Sequence, residues 1–287
     1  MKRGLLVSLG VIAALGLAAF MNREALVLTA LGLSTEKRSL DEQIALLAPH
    51  VEIFAPATGK PPYPAFIQFH GCSGYRPPWS ARWAAVANAA GWLAIGVDSN
   101  GARGIGREDA LKTICAGKKL IGQERAGDIS AAIEIARRRS DVDPQRIVLA
   151  GWSHGAWSVM DYVALMSAGR APASLTSAPA RAGIAGVALF YPYCGEGSWS
   201  RVTRWKEAPP VLAFVAGRDS IVSAEECRAA FAKLKRDGAA VDLADYPDAD
   251  HAFDDRTNVG GPYEYLYDEA AANDSERRIT EFLGRLK

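Results

Sequence analysis

Residues 146–161 read RIVLAGWSHGAWSVMD, from Arg146 to Asp161. Arg146 to Ala150 is a short apolar, partly β-branched run of the kind that forms a strand buried on both faces. Gly151-Trp152-Ser153-His154-Gly155 follows, and the residues from Ala156 to Tyr162 can wind as a helix. This is G-x-S-x-G set between a strand and a helix, the context that gives the pattern its chemical meaning. The turn is tight enough that a Cβ at either glycine would strike a neighbouring element. Ser153 is thereby forced into a strained backbone conformation that lifts its hydroxyl clear. The helix N-terminus behind it offers N–H groups and a positive dipole end where an oxyanion would form.

Working outward, strand-like and helix-like segments alternate. Strands are expected at 50–54, 65–70, 92–97, 184–191, 211–216 and 240–246, beside the central one. Helices are expected from Pro77 to about Ala90, at 123–139, 224–236 and 275–286, with a helix or linker over 34–47. The stretch between 101 and 115 reads as a long loop able to border a binding site. Such alternation implies an α/β fold with a mostly parallel sheet and helices on both faces. No insertion is large enough for a substantial cap domain.

The 287 residues are 49% hydrophobic and 23% charged, with a net charge of +1, which gives no electrostatic footprint for nucleic acid. A small-molecule or peptide substrate is expected instead. Lys2 and Arg3 precede an uncharged apolar run over 4–21, which fits a signal peptide or a membrane tether. Two segments are thus expected: a leader over 1–33 and a catalytic domain over 34–287. The cations place the N-terminus in the cytoplasm and the body outside it, periplasmic or extracellular. Cys72, Cys115, Cys194 and Cys227 show no C-x-x-C spacing, so disulfides are favoured over a zinc site.

A serine hydroxyl needs a base, and the base needs an acid to orient it. The chain has four histidines. His50 starts an edge-like strand, His70 ends a strand at a glycine turn, and His154 is adjacent to the nucleophile. That leaves His251, on the polar loop after the last strand. The acid should follow a strand between the serine and the histidine. Asp219 does so, whereas Asp242 and Asp245 lie within a strand and Asp248 and Asp250 crowd His251. Oxyanion donors are expected from the backbone N–H groups of His154 and Cys72. Arg103, Arg107 and Trp152 are candidate substrate contacts, weighed against solvated arginines and a core tryptophan. No metal or other cofactor is called for.

These residues together resemble the dienelactone hydrolase family of α/β-hydrolases: His70-Gly71-Cys72-Ser73-Gly74, Val97-Asp98-Ser99, the Gly151–Gly155 elbow, Tyr191-Pro192-Tyr193-Cys194, Gly217-Arg218-Asp219, and Tyr246-Pro247 leading to His251-Ala252-Phe253. The resemblance covers most of the chain from about residue 50 onward. It implies an α/β-hydrolase fold and a cofactor-free hydrolase of esters or lactones acting through an acyl-enzyme. Dienelactone hydrolases proper use a cysteine nucleophile, whereas Ser153 stands there in this chain. Exported relatives imply the pairs Cys72 with Cys115 and Cys194 with Cys227. Two other readings compete: a peptidase of the prolyl oligopeptidase type, and a non-catalytic binding protein on a hydrolase scaffold.

Overall fold

The structure, a computed structural model, describes residues 36–180, 183–256 and 266–286. The leader expected over 1–33 lies outside the described residues. Among those residues, no helix is long and apolar enough to cross a membrane.

Among the described residues, seven strands form one sheet: β1 (Val51–Phe54), β2 (Tyr63–Phe69), β3 (Leu93–Val97), β4 (Val142–Trp152), β5 (Gly186–Phe190), β6 (Val211–Ala216) and β7 (Val241–Tyr246). Their order is β1-β3-β2-β4-β5-β6-β7, parallel throughout except for antiparallel β1 at one edge. The elbow strand β4 therefore sits in the middle. Helix α1 (Leu40–Leu47) precedes β1, the connections between strands carry α2 (Pro77–Ala89), α3 (Arg107–Thr113), α4 (Gly122–Arg137), α5 (His154–Ser167) and α6 (Ala224–Arg236), and α7 (Glu269–Arg285) follows β7.

Period-two alternation along the buried strands builds two cores. In β4, Ile147 and Leu149 face α1, α4, α5 and α6, while Val148, Ala150 and Trp152 face α2 and α7. In β2, Ala65, Ile67 and Phe69 join the first core and Phe66 the second. Ser39 caps α1 by accepting from the N–H of Glu42, whose carboxylate accepts from the Ser39 N–H, a capping box that fixes the start of this helix.

Three expectations are corrected. The stretch over 101–115 contains helix α3, whose seven residues are too few to display a periodic apolar face. The last helix begins at Glu269, with the Asp268 carboxylate accepting from the N–H of Ala271. Strand β4 begins at Val142, so Pro144 lies inside it. Its pairing with β2 shifts register between Tyr63 and Ala65, an irregularity that spares Pro144 a ladder donor.

Candidate active site

Strand β4 ends at Trp152 and helix α5 begins at His154, leaving Ser153 alone in the turn with φ +53° and ψ −117°. A Cβ on Gly151 would lie 2.5 Å from the N of Ala156, and one on Gly155 would strike the carbonyl oxygen of Phe69. Both glycines are therefore required by close approach of helix to sheet. Gly71 brings the loop after β2 against the serine, since a Cβ there would sit 3.7 Å from the Ser153 Cβ.

Asp219 follows β6 and His251 follows β7, so Ser153, Asp219 and His251 all project from the C-terminal edge of the parallel sheet. His251 Nε2 lies 2.9 Å from Ser153 Oγ, and His251 Nδ1 lies 2.8 Å from Asp219 Oδ2. A carboxylate only accepts, so Nδ1 carries the proton and the Nε2 lone pair faces the serine hydroxyl. The Asp219 side chain is 1% exposed, and its Oδ1 accepts from the N–H groups of Ile221 and Val222. The two loops are stitched together. Arg218 N–H donates to the Ala249 carbonyl, and Asp250 Oδ1 accepts from the N–H groups of Ser220 and His251. The rival acids are engaged elsewhere: Asp242 with Arg278 and Arg285, Asp245 with Arg228, Asp248 with Arg218.

Behind the elbow, fully buried Arg125 of α4 ties together the two segments that carry the expected oxyanion donors. Its Nη1 donates to the His70 carbonyl at 2.7 Å and to His154 Nδ1 at 3.1 Å, and its Nε donates to Ser99 Oγ. Burial first, then the adjacent guanidinium, holds both His70 and His154 well below the ordinary imidazole range, so both are neutral. A guanidinium only donates, which makes His154 Nδ1 an acceptor and leaves its proton on Nε2. Burial also brings the Arg125 guanidinium down to about 10.

Cys72 is bonded to Cys115, and Cys194 to Cys227, the pairing the family resemblance implies. The first bond fastens the segment after α3 to the loop carrying Cys72. The three candidate substrate contacts part company. Arg107 lines the cleft at Ser153, and Trp152 borders it from within the core, 1% exposed, stacked on Phe190 and edge-on to Trp79. Arg103 does not reach that cleft. Both of its terminal nitrogens bond the buried carboxylate of Asp128, an acid too far along the chain for the sequence to pair with it. Sequence reasoning also missed Arg125, Tyr191 and Asp254. Tyr191 packs its ring 4.7 Å from that of His251, and its Tyr-Pro context was the available signal.

The chain matches the dienelactone hydrolase family over residues 53–287. No curated protein matches it. Among solved structures, it is similar to a dienelactone hydrolase described as putative from Klebsiella pneumoniae, at 17% identity over 82% of this chain and 92% of that one, TM-score 0.63. It is similar to a thermophilic esterase from Thermogutta terrifontis with propionate bound, at 19% identity over 82% and 89%, TM-score 0.62. It also resembles a dienelactone hydrolase-like promiscuous phosphotriesterase from metagenomic libraries, at 17% identity over 82% and 92%, TM-score 0.66. At these identities the likeness establishes the fold.

Proposed function

The chain belongs to the dienelactone hydrolase family, and from that membership we propose a serine hydrolase of carboxylic esters or lactones in which Ser153, His251 and Asp219 carry an acyl-enzyme cycle. The observation that carries this reading is the continuous hydrogen-bonded chain from Ser153 Oγ through His251 to Asp219. Ser153 Oγ attacks the ester carbonyl while its proton passes to His251 Nε2. Asp219 holds the imidazole in the required tautomer and stabilises the imidazolium. The backbone N–H groups of Cys72 and His154 receive the oxyanion, and the neighbouring N-terminus of α5 favours that negative charge. When the intermediate collapses, the carbonyl carbon–alkoxide bond breaks and His251 returns its proton to the leaving oxygen. Water then repeats the sequence on the acyl-serine and releases the acid. Esterase 2 of Thermogutta terrifontis, a structural relative, is described as phosphorylated by paraoxon, which fits a nucleophilic ester hydrolase of this architecture.

Ser153→Ala is expected to cut kcat for a short-chain aryl ester by at least about 10⁴-fold, with the fold retained by circular dichroism. Retained turnover would remove Ser153 from the mechanism. Localisation outside the cytoplasm belongs to the same proposal. It rests on the disulfide pairs, which persist in oxidising compartments, and on the apolar run over 4–21 behind Lys2 and Arg3. Recovery of the protein in a cytoplasmic fraction with reduced thiols would contradict it.

A further inference from the structure

Ser153, Cys72 and Cys115 line two clefts at once, so the nucleophile and the Cys72–Cys115 bond border both. The cleft on one side holds about 70 Å³ and is lined by Arg76, Trp79, Arg107, Tyr191, His251 and Asp255. The other holds about 360 Å³ and is lined by Ile114, Ile121, Trp157, Tyr193, Ile221 and Val222. They also differ in charged side chains, since Arg76, Arg107 and Asp255 line the smaller cleft and only Glu196 lines the larger. The larger cleft is aliphatic and aromatic. Its His154 is held neutral, chiefly by burial and then by Arg125, and its one carboxylate among the described residues, Glu196, stands exposed at the rim. Ile221 at its mouth is one of the few large apolar side chains exposed among the described residues, at 40%.

An ester presents two groups to a nucleophile, and the proton transfer decides which group goes where. The leaving alkoxide must take its proton from His251 Nε2, so the alcohol half has to lie in the cleft that His251 lines. The acyl half then falls on the opposite side of Ser153. We propose that the cleft lined by Trp157, Ile121 and Ile221 is the acyl subsite, and that it selects uncharged acyl groups of several carbons or an aromatic ring over acetyl. This assignment rests on the serine-hydrolase reading. The substrate class it defines is an ester of a bulky apolar acid with a compact, polar alcohol. Ile221 and Val222 belong to the loop whose N–H groups hold Asp219, so the acyl chain packs on the same loop that fixes the triad acid.

The test is a matrix of esters, with acyl groups from acetyl to octanoyl plus benzoyl on one aryl alcohol, and alcohols of rising size on one acyl group. Each methylene buried in the large cleft should raise kcat/KM by about fourfold until the cleft is filled. Lengthening the alcohol should bring no comparable gain. Trp157→Ala should flatten the acyl gradient to less than about twofold per methylene. Ile221→Asp, at an exposed position that does not endanger folding, should depress octanoyl relative to acetyl turnover by at least about tenfold. Modification of Ser153 by a fluorophosphonate, run in parallel, separates the two levels of the claim. Normal modification with a gradient that follows the alcohol, or with an acyl gradient that neither variant changes, overturns the subsite assignment and leaves the hydrolase reading standing. Failure to modify Ser153 overturns both.

Discussion

Tyr191 donates a 2.5 Å hydrogen bond to the buried carboxyl of Asp254, three residues beyond His251. Trp83 Nε1 donates to the other oxygen at 2.9 Å, and Arg82 reaches the Asp254 carbonyl. The loop that carries the imidazole is thus pinned from below by helix α2 and by the residue after β5. Burial pushes the Asp254 carboxyl upward, so its two donors are what make it tolerable in the core.

Removing one of those donors is expected to be felt at the active site. Tyr191→Phe should cost about 1–3 kcal/mol of stability in a urea melt, because a buried acceptor loses its partner. It should also lower kcat for an aryl ester by about tenfold, with a smaller change in KM, since the imidazole loses its fixed approach to Ser153. A variant with unchanged stability and unchanged kcat would show that Asp254 does not position the loop.

Arg125 invites a second substitution. Arg125→Met keeps much of the side-chain volume but leaves the His70 carbonyl and His154 Nδ1 without their shared donor. The segments bearing the Cys72 and His154 N–H groups would then no longer be held to one another. A loss of about 10²-fold in kcat is expected, the scale of losing one oxyanion donor. Circular dichroism should report a folded protein. Full activity in that variant would separate Arg125 from the oxyanion site.

Asp161 on helix α5 gives a pH dependence with a definite sign. Burial pushes its carboxyl up to about 8, although its Oδ1 accepts from Trp199 N–H and Ser198 Oγ. A raised folded-state value means that the folded protein holds this proton while the unfolded chain has released it. Stability is therefore lost as pH climbs from about 4 towards 8. Asp161→Asn keeps the Oδ1 acceptor and cannot ionise. Its stability relative to the parent should rise by roughly 1 kcal/mol per pH unit between pH 5 and 7. An equal difference at the two pH values would mean that Asp161 is ionised in the fold.

The features legible in the sequence were those written into local geometry. Gly151 and Gly155 flag a close approach of helix and sheet, the run ahead of them flags a central strand, and chain order then points to Asp219 and His251. What escaped was pairing across long stretches of chain. Arg103 and Arg125 look alike in sequence, yet one grips Asp128 at the rim of a different cleft and the other lies fully buried behind the elbow. The polar anchors Tyr191 and Asp254 were hidden for the same reason, since their partnership spans 63 residues. Helix α3 escaped for another, its brevity. The reach of Cys72 to Cys115 came only with the family resemblance, because sequence spacing does not encode which thiols meet.

Whether Ser153 is the nucleophile that His251 activates can be read by mass mapping of the site that a fluorophosphonate modifies. One covalent adduct per chain is expected, on the peptide containing Ser153, with loss of that adduct in His251→Asn. An unmodified protein, or an adduct on a different residue while ester turnover persists, would contradict it.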